Sequence, residues 1–466
     1  MSTDYDFDLL CIGSGPAGQR AAVQAAKLGY RAAVVERRSV VGGSCLTTGT
    51  IPSKTFREAV LQFSTLRDNP ERRRFAKLEY RPTARQLLDR VERVVQEECG
   101  VIEDQLRRND VAILRGQAAF VDPHTVAIFS GDGRREVSAA SILIACGTRP
   151  ADPPGVASDG EVVLTSDDIA DLKRLPRSMV VVGAGVIGIE YASMFAAVGV
   201  EVIVVDRRER PLEFLDEEIV DELIHQMRRR KVTFRPREGV ERIEVVDGPA
   251  KRAVVTLDSG KRISTDMVLF SVGRVGATGD LAVERAGLTA GARGRLAVDD
   301  RFRTVVPHIF AAGDVIGYPS LAATSSEQGR LAACHALAVP ALPMAAHFPI
   351  GIYAIPEISM VGEPEHVLTE RKEPYEVGIA RYREIARGQI VGDGDGLLKL
   401  LFAREDRRLL GVHIIGTGAT ELLHIGQTVL GLGGGLDYFL RTVFNYPTLA
   451  ECYKVAALNA SNKLAA

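Results

Sequence analysis

The sequence predicts an α/β fold: two Rossmann-like units with parallel sheets, followed by an α+β C-terminal portion. Three observations carry this. Residues 7–36 read strand, Gly-rich turn, Ala-rich helix and second strand. The same order returns at 178–206, about 170 residues further on. From about residue 345 the pattern changes to alternating strands separated by turn residues, then helices.

Length and composition agree with a folded chain of several domains. With 466 residues, 46 % hydrophobic and 25 % charged, it has an ordinary globular balance, which excludes disordered, collagen-like and disulfide-stapled classes. Lys+Arg number 58 and Asp+Glu 60, a net charge of −2, with no clustered positive charge for nucleic acid. No run of about 18 apolar residues exists to span a membrane. The start MSTDYDFDLL carries acids where a signal peptide carries bases. Cys11, Cys45, Cys99, Cys146, Cys334 and Cys452 are scattered, without a CxxC pair or a metal-ligand cluster. A cytoplasmic protein without a metal, with no nucleic-acid or membrane partner, is expected.

In the first unit FDLLCIG is the strand, and Gly13, Gly15 and Gly18 give G-x-G-x-x-G. The first glycine makes the turn, the second lets backbone approach a pyrophosphate, and the third lets helix and strand pack closely. The helix N-terminus faces the phosphate. AGQRAAVQAAKLG is the helix and RAAVVE the second strand, ending in Glu36, a carboxylate for ribose hydroxyls. The glycine spacing alone would fit any Gly-rich connection; the βαβ order around it makes a dinucleotide site the reading.

In the second unit RSMVVVG precedes Gly183, Gly185 and Gly188, then VIGIEYASMFAAVG and VEVIVVD follow. Two such units in one chain point to electron exchange between two dinucleotides, hence a flavoprotein that uses a nicotinamide cofactor. The second strand ends in Asp206, followed by Arg207 and Arg208, with Arg210 close behind. An acid at this place binds the ribose hydroxyls of NAD, and arginines just after it bind the 2′-phosphate of NADP. Asp206 should repel a 2′-phosphate and the arginines attract it. A compromise site accepting both cofactors is expected; the alternative is a merely solvated arginine loop.

Residues 64–85, rich in Arg, Pro and acids, read as an exposed connection. Residues 86–108 have apolar positions at helical spacing, with a solvated charged face. SILIACGTRPADPPG reads as a strand running into a Pro-rich hinge near 149–155 that leads into the second unit. IVGDGDGLLKLLFARE and RRLLGVHIIG read as an antiparallel hairpin.

Residues 41–54, VGGSCLTTGTIPSK, closely resemble the active-site segment of the flavoprotein disulfide reductases, the family of glutathione reductase and dihydrolipoamide dehydrogenase. The resemblance covers nearly the whole chain. IFAAGDVIG at 309–317 resembles the family's second flavin motif, ACGTRP at 145–150 its ATG-like segment, and Val272, Gly273 and Arg274 its VGR. The resemblance implies a glutathione-reductase-like arrangement: an FAD-binding domain at 1–150 and 273–344, an NAD(P)-binding domain at 151–272, and a C-terminal dimerisation domain at 345–466. It implies non-covalent FAD, one per subunit, and a homodimer or higher homo-oligomer. As cofactor-binding residues it carries over Gly13, Gly15, Gly18, Glu36, Arg37, Gly42, Gly43, Ser44, Cys45, Thr50, Lys54, Ala118, Gly147 and Ala322, with Asp314 at the ribitol and pyrophosphate end of FAD. It carries over Gly183, Gly185, Gly188, Glu190, Asp206, Arg207, Arg208 and Gly273 likewise. Lys54 and Glu190 match the family's Lys–Glu pair beside flavin N5, where an ammonium favours electron density on reduced flavin and the carboxylate holds it. The alternative is a structural ion pair. Lys54, Glu190 and Cys45 are the candidate catalytic residues.

Two departures redirect the reading. The family passes electrons through cysteines spaced C-x4-C; here Cys45 stands, but Thr50 holds the partner position. A hydroxyl forms neither a disulfide nor a thiolate charge-transfer pair. The family's H-P-T-x-x-E segment is NYPTLAE, so Tyr446 replaces the His while Glu451 remains. Tyrosine, with an ordinary pKa of about 10, is too weak an acid for that shuttle at neutral pH. Electrons should then leave by the nicotinamide face of the flavin. The lone Cys before Thr and the Tyr in N-Y-P-T resemble the transhydrogenase branch of the family, as do GDVIGYPSLA at 313–322, GIYAIPEIS at 351–359 and ELLHIGQ at 421–427. That resemblance implies NAD(H) and NADP(H) as substrates and the Si-specific, ping-pong reaction NADPH + NAD+ = NADP+ + NADH. An NAD(P)H oxidase or peroxidase forming a sulfenic acid on Cys45, a quinone reductase and a redox-sensing flavoprotein remain open. Cys45 is read as a spectator packed near the flavin, and His424 as an interface or core residue rather than a ligand. Tyr446 and Glu451 are read as structural residues at the dimer interface.

Overall fold

Strand Phe7–Ile12 is buried along almost its whole length, as a run with apolar residues facing both ways requires of a central parallel strand. The computed structural model describes residues 4–68, 82–153, 155–248 and 251–465. In it Phe7–Ile12 pairs in parallel with Ala32–Glu36, in the register Leu9↔Ala32 to Ile12↔Val35, and on its other side with Gly133–Ile144. Ala112–Arg115 extends one edge, and Ile309–Ala311 pairs with the end of Gly133–Ile144. The first half of Gly133–Ile144 also forms an antiparallel ribbon with Thr125–Ser130, which pairs in turn with Gln117–Phe120.

Helix Pro16–Lys27 follows the first glycine turn. Pro16 at its start has no N–H to satisfy and a preset φ. Its buried face is Ala17, Gly18, Ala21, Ala22, Val23 and Ala25. Small residues there let helix Ala322–Ala336 approach to backbone contact: a Cβ on Gly329 would lie 2.1 Å from the Ala17 carbonyl oxygen.

The second unit repeats the plan. Its sheet runs Val232–Arg235, Glu201–Val205, Ser178–Val182, Met267–Phe270, Val163–Thr165, all parallel. Helix Val186–Ala197 is buried from Gly188 onward, which is why its sequence is apolar on every side. A three-stranded antiparallel sheet, Val240–Val246, Arg252–Leu257 and Arg262–Thr265, shares a buried cluster with Val180, Val182, Val205, Val268 and Phe270 of the parallel sheet. The chain passes from the first sheet to the second and returns through two neighbouring strands: Thr148–Pro150 pairs antiparallel with Arg274–Gly276. Arg274 fastens them, donating to Thr148 Oγ1 at 2.9 Å and pairing with Asp167 at 3.0 Å.

The third sheet is antiparallel, in the order Ile350–Ile352, Ile358–Gly362, Leu409–Ile415, Leu397–Ala403, Tyr375–Arg381. The expected hairpin is its centre, in the register Leu397↔Ile415 to Phe402↔Leu409. Helices Ala419–Gly431, Leu436–Arg441 and Glu451–Leu464 pack with it. A buried cluster joins this sheet to the second unit. Lys399 and Asp216, each 1 % exposed, lie 3.0 Å apart, and Lys399 also meets Glu218 at 3.2 Å and Glu365.

One expectation needs correction. The exposed connection placed at 64–85 is helical at both ends. Helix Thr50–Asp68 runs through Ser64, which is buried, because Leu61 and Phe63 on the same turn pack against the core. Helix Ala84–Arg108 starts earlier than expected, because Thr83 and Gln86 form a capping box. Residues 69–81 lie outside the described residues.

Candidate functional site

A cavity of about 730 Å³ opens where the first unit, helix Val186–Ala197 and the third sheet meet. Its floor is the first glycine turn. Gly13 has φ +108°, and a Cβ there would lie 2.4 Å from the Ala145 carbonyl oxygen. A Cβ on Gly43 would lie 2.8 Å from Gly15 Cα, so two backbones border the cavity at a spacing only glycine allows. Gly15 caps helix Pro16–Lys27 without a side-chain bond. The helix therefore presents backbone N–H groups and its positive dipole end to an anion. Glu36 is buried at the end of its strand and accepts from Ser14 N at 3.2 Å, from the Ser14 hydroxyl and from Arg38 N at 2.8 Å.

Asp314 also lines the cavity. Burial pushes its carboxyl above the ordinary value, against the pull of Arg274, of the Thr148 hydroxyl bond and of Arg295. A polyphosphate and a sugar have their donors and acceptors here, and the cavity size fits a large cofactor. The residues present fit FAD: a cradle that a Cβ would fill, an open helix N-terminus and two acids. Gly13, Gly15, Glu36, Arg37, Gly43, Ser44, Cys45, Thr50, Lys54, Ala118, Gly147, Glu190, Asp314 and Ala322 all line the cavity. Gly18, Gly42 and Gly273 lie outside its lining. Gly18 instead allows close packing, since a Cβ there would lie 1.9 Å from Gly13 O.

Lys54, on helix Thr50–Asp68, meets Glu190, on helix Val186–Ala197, through both carboxylate oxygens at 2.9 and 2.7 Å. The Glu190 side chain is 4 % exposed and that of Lys54 26 %. The third sheet completes the arrangement. Tyr353 N donates to Glu190 Oε1 at 2.8 Å, and the Lys54 ammonium lies 4.9 Å from the centre of the Tyr353 ring. Sequence reasoning marked the segment 351–359 but not Tyr353 itself, whose partner is 163 residues away.

Cys45 faces the cavity beside Thr50. Burial pushes its thiol up, and the hydrogen bond with Thr50 and the charge of Lys54 offset only part of that. Cys146 also lines the cavity; burial pushes its thiol to about 12. All six cysteines are free. Tyr446 is 66 % exposed, and Glu451 keeps a buried Oε2 with no hydrogen-bond partner among the described residues. His424 corrects the core reading: it is exposed, lines the cavity and has Nδ1 2.7 Å from Gln427 Oε1. Its helix packs through Leu422, Leu423 and Gly426 instead, leaving residue 424 on the open face. Among the described residues no group of three or more His, Cys, Asp or Glu side chains is placed to hold a metal ion.

At the second glycine turn Gly183 has φ +102°, and a Cβ on Gly188 would lie 1.9 Å from Gly183 O, the same packing as Gly18 on Gly13. Gly185 caps helix Val186–Ala197 without a side-chain bond. Asp206 accepts from Ala184 N at 2.5 Å, from Arg208 N at 2.8 Å, and from Arg208 Nε and Nη2 at 3.0 and 2.8 Å. Burial pushes the Asp206 carboxyl up, but the Arg208 guanidinium and the two backbone amides outweigh it and hold it below its ordinary value. Arg207 pairs with Asp258 at 3.4 Å, and Arg210 turns away to Asp221 at 3.0 Å.

The family model for pyridine nucleotide-disulphide oxidoreductases matches residues 7–329, and that of the family's dimerisation domain matches 348–457. The chain is 53 % identical to a soluble pyridine nucleotide transhydrogenase of Mycobacterium bovis over 464 residues, 99 % of this chain and 98 % of that one. It is 44 % identical to a protein of the same name from Enterobacter sp. over 469 residues, the whole of both chains. Among solved structures it resembles LpdA from Mycobacterium tuberculosis, with TM-score 0.88 and 27 % identity over 97 % of this chain and 99 % of that one. It also resembles the HOCl-induced flavoprotein disulfide reductase RclA from Escherichia coli, with TM-score 0.87 and 26 % identity over the same shares. No described helix is long and apolar enough to cross a membrane. Two glycine turns of one design, each opening a helix, followed by a C-terminal antiparallel sheet, thus have their explanation in descent: the chain belongs to the pyridine nucleotide-disulphide oxidoreductase family.

Proposed function

We propose that this chain is a transhydrogenase that moves a hydride from NADPH to NAD+, with FAD as its bound group, by a ping-pong mechanism. NADPH enters, gives up its hydride and leaves as NADP+; NAD+ then takes the same place. Bound FAD supplies the two-electron relay between the two pyridine rings. The observation that carries this reading is Cys45 beside Thr50: the thiol has a hydroxyl neighbour where a relay would need a second thiol. The full-length relatives of the same name support it.

The chain's residues contribute binding, orientation and electrostatics. Gly13, Gly15 and the helix N-terminus bind pyrophosphate, and Glu36 orients the ribose through its carboxylate. Lys54 keeps a fixed positive charge at the inner wall, where negative charge gathers during transfer, and Glu190 and Tyr353 hold it in place. Cys45 acts as a small apolar wall residue; its raised thiol leaves little thiolate for sulfenic acid chemistry. Asp206 serves NAD(H), and Arg207 and Arg208 serve NADP(H). The matching dimerisation domain supports a homo-oligomer. The finer reading is a homodimer with one non-covalent FAD per subunit, acting in the cytoplasm. Its domains divide at 1–150 with 273–344, 151–272 and 345–466.

The test mixes holoenzyme with NADPH and thio-NAD+, without oxygen and without any disulfide. Absorbance of reduced thio-NAD is expected to rise, and to do so equally with Cys45→Ser. No rise, or loss of the signal in Cys45→Ser, would sink the proposal.

A further inference from the structure

The arginines that would meet a 2′-phosphate are not waiting for one. Arg208 lies on Asp206, while Arg207 is paired with a carboxylate from a different part of the unit, Asp258, at 3.4 Å. Asp258 sits in the turn between strands Arg252–Leu257 and Arg262–Thr265.

Backbone bonds lock three segments side by side. Glu238 N donates to Asp206 O at 3.0 Å, Arg237 N donates to Arg208 O at 3.1 Å, and Asp258 N donates to Gly239 O at 3.0 Å. The loop holding the two arginines is thus stitched to 237–239, and 239 is stitched to the turn at 258. Gly239 is where the two side chains meet. A Cβ there would lie 2.1 Å from Asp258 Oδ2 and 2.2 Å from Arg207 Nε, so the pair occupies space that only a glycine leaves open. The pairing follows from backbone register, although both side chains are well exposed, 73 % for Arg207 and 46 % for Asp258.

We infer that Asp258 is a specificity-determining residue: by competing for Arg207 it weakens binding of a 2′-phosphate and lets one site release NADP(H) as well as accept NAD(H). This rests on the proposed reading of the second glycine turn as the nicotinamide-dinucleotide site. A dianionic 2′-phosphate has to draw Arg207 from Asp258 and endure the remaining carboxylate charge; a free 2′-hydroxyl has neither cost. A ping-pong enzyme gains from this, because a nucleotide held too tightly slows the next exchange.

The test measures binding of two fragments to the holoenzyme by calorimetry: adenosine 2′,5′-bisphosphate and 5′-AMP, which differ only in the 2′-phosphate. Asp258→Asn is expected to tighten the bisphosphate by about threefold to fivefold at low salt, the scale of an exposed ion pair, with 5′-AMP nearly unchanged. The gain should fade at about 0.5 M salt, where exposed charges are screened. Gly239→Ala, which expels the pair without removing either charge, is expected to shift the ratio in the same direction. Glu201→Gln removes one exposed charge at the far end of the strand that leads to Asp206 and should leave the ratio alone. An unchanged ratio in Asp258→Asn, or an equal change in Glu201→Gln, overturns the inference while the dinucleotide site stands. Failure of 5′-AMP to bind the parent enzyme at all overturns the dinucleotide site, and the inference falls with it.

Discussion

Arg208 folds its guanidinium back onto Asp206, two residues earlier, through Nε and Nη2 at 3.0 and 2.8 Å. The first unit supplies the comparison within the same chain. Glu36 takes the corresponding bonds from Ser14 N and Arg38 N, but the Arg38 side chain reaches across to Thr47. The second unit has Ala184 where the first has Ser14, so no hydroxyl satisfies the acid and the arginine does so instead. On the proposed reading of this turn, Arg208 would both mask the acid that serves NAD(H) and carry the charge that serves NADP(H).

Substitutions at this pair should separate the cofactors. Asp206→Ala is expected to favour NADP(H), and Arg208→Met to weaken NADP(H) by about tenfold, the scale of a charge-assisted bond, with a smaller effect on NAD(H). Arg207→Ala should also weaken NADP(H) more than NAD(H). Binding constants for both nucleotides in each variant check this; equal effects on the two would count against the compromise site.

Lys54→Met leaves the buried Glu190 carboxylate with only the Tyr353 amide. A loss of about 1–2 kcal/mol in unfolding free energy is expected, discounted for the partial exposure of Lys54. The double variant Lys54→Met/Glu190→Gln should recover much of that stability, yet transfer between nucleotides should stay slow. Denaturant unfolding and thio-NAD+ reduction, run side by side, decide it.

Tyr353 offers its ring face to the Lys54 ammonium, so the ring and not the hydroxyl should matter. Tyr353→Phe is expected to behave nearly as the parent. Tyr353→Leu should lose about 1 kcal/mol of hold on the ammonium, seen as a severalfold fall in kcat with little change in KM. Steady-state kinetics of the two variants test this directly.

The cluster of Lys399, Asp216, Glu218 and Glu365, buried at its Lys399–Asp216 centre, should define a pH window. Burial pushes the Asp216 carboxyl up, but His413 and Lys399 outweigh it, leaving it below its ordinary value. Its contribution is complete above the unfolded value of about 3.9 and is lost as pH falls through the folded one. Burial pulls the Lys399 ammonium down, but Asp216 and Glu365 outweigh it and raise it. Its contribution is complete below the unfolded value of about 10.4 and is lost as pH rises through the folded one. Lys399→Met should cost about 3–5 kcal/mol near neutrality, because it strands buried Asp216. It should also flatten both limbs of the stability profile; a variant that merely shifts the profile down without flattening it would refute the assignment.

The parts of the fold that could be read from sequence were those written in consecutive residues. Gly13, Gly15, Gly18 and Glu36 encode one turn and one strand end, and the repeat from Gly183 to Asp206 encodes the other. The hairpin 397–415 was visible from its alternation and turn residues. The limits of the helices around residues 64–85 were not, because charge-rich composition masks a helix whose apolar residues, Leu61 and Phe63, face the core. Contacts across long separations were also hidden. Tyr353 with Glu190, Asp258 with Arg207 and Lys399 with Asp216 each join distant segments, and no local pattern announces them. The resemblance of 41–54 to a known active-site segment supplied what spacing alone could not: that Lys54 belongs with Glu190.

The two neighbouring strands that carry the chain out of the first sheet and back into it, Thr148–Pro150 and Arg274–Gly276, have a consequence for how such a protein changes over generations. Everything between them departs and returns at one doorstep. A segment that leaves and re-enters in this way could be exchanged with only two adjoining splices, but it would carry Glu190 and Asp216 with it, so any replacement inherits the duty of meeting Lys54 and Lys399.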